Sequence, residues 1–268
     1  RVARGRTSTF LTRSFDGELG GRAPDELVVE EPLEIRLDDT LVATTMRTPG
    51  HDFELAVGWC HAEGLLDGAH VETVRYCGTG SAVDTRFNVV SVETAGTARP
   101  VAPRLTTATS ACGLCGSDAI DDLVERISPL VATTTFAPSV LAAAPDAMRA
   151  HQDLFAATGA VHAAAAVGVD GEVVVVREDI GRHNAVDKVV GNLRLAGALP
   201  ATELGLVVSG RASFEMVQKA WAGGFSALVA VSAPSALAVQ AARRAGLTLA
   251  GFARDGSLRI YAGQGLET

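Results

Sequence analysis

Hydrophobic and polar positions change rhythm near the middle of the chain. In the first hundred residues the units are short. Leu33, Ile35 and Leu37 alternate with Glu34 and Arg36, a second run of β-formers covers 40–44, and Asp38-Asp39 lies between them. Period-two alternation around a turn signal predicts a hairpin. Phe53, Ala56, Val57 and Cys60 then recur at helical spacing, so a helix is predicted over 52–63, closed by Gly64. Short strands are predicted over 71–77 and 87–92. The stretch 94–109, with its Pro, Thr and Ala content, reads as a connector.

Beyond residue 118 the units lengthen and alternate. Ser117 and Asp118 are placed as caps of a helix carrying Ile120, Leu123, Val124 and Ile127. Helical spacing runs over 139–159. Strands follow at 160–169 and 173–178, joined by the hairpin signal Asp170-Gly171. A regular rhythm comes next: helix 184–195, strand 204–209, helix 213–221, strand 227–232, helix 235–245, strand 248–252 and a last run at 257–261. Leu228-Val229-Ala230-Val231 is continuously apolar, as in a sheet covered on both faces. The expected fold class is α/β, a three-layer α/β/α sandwich with a mixed sheet, beside a smaller N-terminal α+β domain. The expected divisions are an N-terminal domain over 1–105, a mobile cysteine loop over 106–117 and the α/β domain over 118–268.

Composition narrows the class. A chain of 268 residues that is 47% hydrophobic, poor in aromatics and holds 28 glycines suits close helix-on-sheet packing in an enzyme. The net charge of −8 argues against general nucleic-acid binding, although local basic pockets for an anionic ligand remain compatible with it. Arg1-Val2-Ala3-Arg4-Gly5-Arg6 is read as a mobile basic arm; no apolar signal-peptide core follows it and no apolar run is long enough for a bilayer. The expected location is cytoplasmic, without membrane or nucleic-acid partners. Four cysteines are too few for a secreted disulfide framework of this size.

Two of those cysteines share a small polar loop, Thr109-Ser110-Ala111-Cys112-Gly113-Leu114-Cys115-Gly116-Ser117-Asp118. The spacing puts two sulfurs within reach of each other, and the glycines let the backbone fold tightly around them. A cysteine just ahead of a helix N-terminus has its pKa lowered, and the thiolate is the reactive form. A buried structural pair, half a zinc site and redox or sulfur chemistry all stay open on local sequence alone.

A second candidate site lies where the later strands hand over to helices. These junctions read Glu178-Asp179-Ile180-Gly181-Arg182-His183-Asn184, Ser209-Gly210-Arg211-Ala212-Ser213, Ser232-Ala233-Pro234-Ser235 and Phe252-Ala253-Arg254-Asp255-Gly256-Ser257. Ligands of open α/β sheets bind beyond the carboxyl ends of the strands. Guanidinium groups, hydroxyls and helix N–H donors there suit a phosphate-bearing, nucleotide-like ligand. Ordinary capping would account for any one junction, but not so readily for Arg182, Arg211 and Arg254 together. Walker A and dinucleotide Gly-x-Gly-x-x-Gly motifs are missing, which argues against ATP hydrolysis and dinucleotide redox.

His61-Ala62-Glu63 with Cys112 and Cys115 imitates a zinc-deaminase signature, but Ala111 stands where that pattern has proline. Zinc is therefore not expected. A thioredoxin-like motif would follow a strand directly, whereas a Thr- and Ser-rich loop precedes Cys112. Cys60 is assigned to core packing, Cys77 is left open, His162 is read as a satisfied buried histidine, and His183 as free to bond a ligand or move a proton.

Taken in order, Cys112-Gly113-Leu114-Cys115-Gly116, Thr158-Gly159-x-x-His162-Ala163-Ala164, the run Glu178 to Lys188, Ser209-Gly210-Arg211-Ala212-Ser213-Phe214-Glu215 and Leu249-Ala250-Gly251-Phe252 resemble the FdhD family. Its members are the sulfurtransferases needed to make active formate dehydrogenase, and the resemblance extends over nearly the whole chain from about Thr7. It implies a fold similar to cytidine deaminases without their zinc chemistry. It also implies persulfide sulfur received from a cysteine desulfurase and delivered to a molybdenum cofactor, Mo-bis(molybdopterin guanine dinucleotide), with GDP or another guanine nucleotide as a mimic. By matching position Cys112 would bear the persulfide and Cys115 would assist or relay. Phe252, Ala253, Arg254, Asp255, Gly256 and Ser257 would bind the cofactor, joined by Arg211, Ser232 and His183 from the junction reading. Some relatives carry Cys, Lys and Pro in the last segment. Formate dehydrogenase is the expected client and a homodimer the expected assembly. The alternative function is a non-catalytic chaperone that holds the cofactor.

Overall fold

The computed structural model describes residues 5–77, 81–99, 129–130 and 134–263. The chain opens with a hairpin that the alternation did not reveal, β1 (Thr7–Asp16) against β2 (Glu18–Val28). Its apolar residues Phe10, Leu11, Phe15 and Leu19 are all exposed, so no face is buried and no in-out pattern was imposed on the sequence. The foreseen hairpin follows as β3 (Glu31–Leu37) and β4 (Thr40–Arg47). Leu37 pairs with Thr40, and Asp38 and Asp39 form a two-residue loop with φ of 43° and 65°. Two successive positive φ angles are the hairpin turn that follows strand twist, and Asp tolerates them.

With β5 (Thr73–Tyr76) and β6 (Val89–Glu93) these strands make a four-stranded sheet ordered β4-β3-β6-β5, in which β3 and β6 run parallel. Helix α1 (Asp52–Ala62) lays Leu55, Ala56, Val57 and Cys60 onto Leu33, Ile35, Val90 and Val92. Cys60 is fully buried, and burial, followed by the charges of Asp187 and Glu63, pushes its thiol far above the ordinary range. It is packing, as expected.

The second sheet has six strands in the order β12-β11-β10-β9-β7-β8. They are β7 (His162–Val167), β8 (Val173–Asp179), β9 (Gly205–Val208), β10 (Ala227–Ala230), β11 (Thr248–Arg254) and β12 (Ser257–Ala262). Strands β9, β10 and β11 are parallel, while β7, β8 and β12 enter by antiparallel pairs. The apolar runs divide between two faces. Leu206, Val208, Leu228 and Ala230 meet α4 (Arg182–Leu195), α5 (Phe214–Ala222) and α6 (Ala236–Ala245), whereas Val207, Ala227 and Val229 meet α2 (Pro138–Arg149). Helices thus cover both faces of a mixed sheet. The boundary expected at 105, and the helix expected after Asp118, fall outside the described residues. Among the described residues no helix is long and apolar enough to cross a membrane.

The helical patterns expected over 139–159 form two helices, α2 and α3 (Asp153–Thr158). The second has its own start because the buried Glu178 carboxylate accepts from the N–H groups of Leu154 and Phe155, at 2.9 and 2.7 Å. A carboxylate on the first-turn N–H groups supplies what a continuing helix would otherwise supply.

Where α1 crosses α4, backbone meets backbone. A Cβ on Gly58 would lie 1.8 Å from the carbonyl oxygen of Asp187, and one on Gly191 1.8 Å from that of Glu54. Beside the crossing, Glu54 accepts from Arg177 at 2.5 and 2.8 Å and from Asn192 at 3.0 Å. Burial alone would raise this carboxyl, but the Arg177, His51 and Asn192 bonds outweigh it and bring its pKa to about 2. A carboxylate depressed on folding stabilises above its unfolded pKa and loses that stabilisation as pH falls through the folded value. Glu54→Gln should therefore cost about 3 kcal/mol at pH 7. The deficit should shrink between pH about 4.5 and 2, read by urea unfolding across that range. A deficit that does not change with pH would reject the assignment.

Candidate functional site

The carboxyl ends of β8, β9, β10 and β11 and the start of β7 share one edge of the six-stranded sheet. There a cleft of about 540 Å³ is floored by His162, Ile180, Ser209, Val231, Ala253 and Arg254 and walled by residues of α2 and α3 and the turns around them. That volume is in the range of small-molecule sites, and its place is where ligands of open sheets bind.

Within it, the amide of Ala163 donates to Ser209 Oγ at 3.0 Å, and that hydroxyl lies 3.3 Å from His162 Nδ1. The hydroxyl can donate to Nδ1 or accept from it, so it serves either tautomer of the ring. Burial, then the positive charges of Arg182 and His183, push the His162 pKa below its ordinary value. His162 is thus a neutral, half-buried floor residue of the cleft, a place the reading as core histidine did not give it.

The predicted residues separate. Ala253 and Arg254 line the cleft. Phe252 is exposed with φ of 53°, an uncommon conformation for an aromatic residue. It sits at an irregularity in the β11–β12 pairing, held by its N–H to the Ser232 carbonyl at 3.1 Å, with the Arg259 guanidinium 4.9 Å from its ring centroid. Asp255 and Gly256, with φ of 50° and 71°, are the two-residue loop of the β11–β12 hairpin, and Ser257 Oγ donates to the Arg254 carbonyl at 2.9 Å. Turn chemistry alone accounts for their identities. Arg211 is exposed after β9, and neither it nor Ser232 is among the lining residues. The Ser232 backbone joins the ends of β9 and β11 through Gly210 and Phe252.

His183 is not free, as the sequence reading had it: its Nε2 lies 2.5 Å from the Glu215 carboxylate. That bond holds the Glu215 pKa below its ordinary value, against the effect of burial. Asp179, Asn184 and Lys188 of the same run are likewise engaged within the protein. Asp179, fully buried, accepts from Thr48 N at 3.2 Å, Gly181 N at 2.8 Å and Asn184 Nδ2 at 2.9 Å, and pairs with Lys188 Nζ at 2.6 Å. Lys188 also donates to the Thr48 carbonyl. The motif is an internal clamp between the end of β4 and the larger sheet. His61, from the deaminase-like triplet, has its Nε2 2.9 Å from the Ala222 carbonyl. Cys77, also left open, is buried with Sγ 3.0 Å from Thr85 Oγ1. Cys112 and Cys115 lie outside the described residues.

The model of the FdhD/NarQ family matches residues 28–266. The chain belongs to the FdhD/NarQ family. The sulfur carrier protein FdhD of Streptomyces avermitilis is 48% identical over 263 residues, covering 95% of this chain and 93% of the relative. That of Corynebacterium efficiens is 44% identical over 255 residues, with 90% of each covered. In fold, the chain matches a crystal structure from Desulfotalea psychrophila, described as a candidate formate dehydrogenase accessory protein, with a TM-score of 0.74 over 97% of this chain and 98% of that one. At 20% identity that likeness speaks for the fold. Against the FdhD/NarQ background, the residues that sequence reasoning passed over are Asp146, Arg149, Gln152 and Phe155 on the helical wall. The helical patterns over 139–159 carry no sign that the break between α2 and α3 turns these residues toward the strand ends.

Proposed function

We propose that this chain is a sulfurtransferase: it receives sulfur from a cysteine desulfurase as a persulfide on Cys112 and hands it to Mo-bis(molybdopterin guanine dinucleotide), the substrate whose sulfuration makes formate dehydrogenase active. The observation that carries the cofactor half is the cleft at the carboxyl edge, with Arg254 to meet phosphate and a volume suited to one nucleotide end. Membership in a family with relatives named sulfur carrier proteins supports the sulfur half, and Cys112-x-x-Cys115 supplies the thiols. The same reading includes a cytoplasmic homodimer and a likeness to the cytidine deaminase fold. Helices on both faces of a mixed sheet support that likeness.

In loading, the Cys112 thiolate attacks the outer sulfur of the desulfurase persulfide, the S–S bond there breaks, and the desulfurase thiolate leaves. In delivery, Cys115 attacks the inner sulfur of the Cys112 persulfide. A Cys112–Cys115 disulfide forms, and the outer sulfur departs as sulfide with the electrons of the broken bond. Intact-protein mass spectrometry after incubation with an active desulfurase and cysteine tests the loading step. Wild type and Cys115→Ala should gain one sulfur atom, and Cys112→Ala none. A gain that persists in Cys112→Ala would overturn the assignment; no gain anywhere would favour a cofactor-holding chaperone.

A further inference from the structure

The helical wall of the cleft holds one polar group that the protein does not satisfy. Gln152 is 4% exposed and lines the cleft, yet its Nε2 is buried without a hydrogen-bond partner. Buried side-chain donors in folded proteins are nearly all paired, and one that is not calls for a partner from outside. Two charged residues stand on the same wall. Asp146 offers a carboxylate, which only accepts, and Arg149 lies with Cζ 3.9 Å from the ring centroid of Phe155, forming a planar cationic platform.

An amide donor, a carboxylate acceptor and a flat cation together match the edge and face of a nucleobase. A carboxylate is best used by two parallel N–H donors, which guanine presents at N1 and its 2-amino group beside a carbonyl at C6; adenine has a single exocyclic donor beside a ring acceptor. The geometry points to Gln152 as a specificity-determining residue that reads the base of the nucleotide end. Nε2 donates to the C6 carbonyl and Asp146 accepts from the neighbouring N–H groups. This rests on the nucleotide reading above and adds to it which side chains select a 6-oxopurine.

Calorimetric titration of GDP, IDP and ADP into wild type, Gln152→Leu and Asp146→Asn tests it, with melting temperatures of all three proteins. Wild type should bind GDP more tightly than IDP, and IDP more tightly than ADP. Gln152→Leu should weaken GDP and IDP alike by about tenfold without lowering the melting temperature, since it removes an unsatisfied donor. Asp146→Asn should weaken GDP most and narrow its advantage over IDP. Equal binding of GDP and ADP by wild type, or unchanged GDP affinity in a folded Gln152→Leu, would overturn the inference while leaving a nucleotide site. Wild type that binds none of the three would overturn the nucleotide reading itself. Should Gln152→Leu fail to fold, the wild-type order of the three nucleotides decides.

Discussion

A single methyl group added at residue 58 should unfold this protein. Gly58→Ala would place a Cβ 1.8 Å from the Asp187 carbonyl oxygen and 2.7 Å from the Gly191 nitrogen. Both contacts are with backbone, so no side-chain rotation relieves them. The helices would have to separate by more than an ångström along a crossing flanked by the fully buried Val57, Val186 and Val190. Interiors packed to crystal density do not absorb such a shift cheaply. The expected loss is about 4 kcal/mol or more, much of the stability of an ordinary domain. Soluble yield and the urea midpoint read it, with Gly21→Ala as the control. A Cβ on Gly21 meets nothing within 4 Å, so that midpoint should stay within about 0.5 kcal/mol of wild type. A wild-type midpoint in Gly58→Ala would refute the crossing geometry.

The second large effect concerns the clamp around Asp179. Asp179→Ala removes the carboxylate from a Lys188 ammonium that is 1% exposed and also orphans the N–H groups of Thr48 and Gly181. Breaking a buried pair from one side leaves an uncompensated charge and costs about 3–5 kcal/mol. Lys188→Met should cost less, because Asp179 keeps its donors from Thr48, Gly181 and Asn184. The double variant Asp179→Ala with Lys188→Met should be less damaged than the sum of the singles, by about 1–3 kcal/mol in a cycle measured by urea unfolding. Simple additivity would show that the two residues do not act as a pair.

Much of this was legible in the chain, for physical reasons that differ from place to place. The 33–44 hairpin could be read because one face is buried and its turn needs residues that tolerate positive φ. Strands β9 and β10 could be read because a sheet covered on both faces leaves no room for polar side chains. The position of the cleft followed from the same rhythm, and Ala253 and Arg254 are there. What could not be read depended on distant partners. Polar residues from Glu178 to Lys188 look alike in sequence whether they meet ligand or protein. Their partners, Met46 and Thr48, stand more than a hundred residues earlier. His183 was similarly assigned to a ligand because nothing local signals Glu215. The break between α2 and α3 depends on the Glu178 carboxylate, which lies on another strand. The β1–β2 hairpin, with no buried face, left no periodic mark.

The crossing of Gly58 with Gly191 also constrains how the chain is made. Synthesis proceeds from the N-terminus, and a domain generally folds once its last contact has emerged. Helix α1 is made early, but the surface that covers its glycine face belongs to a helix ending at Leu195. A nascent chain that has completed its four-stranded sheet therefore still presents an uncovered helix face to the cell. That vulnerability should last for the translation of about a hundred further residues, from Glu93 to Leu195. Ribosome-bound chains stalled before residue 180 should then recruit general chaperones, and chains stalled well beyond residue 195 should release them.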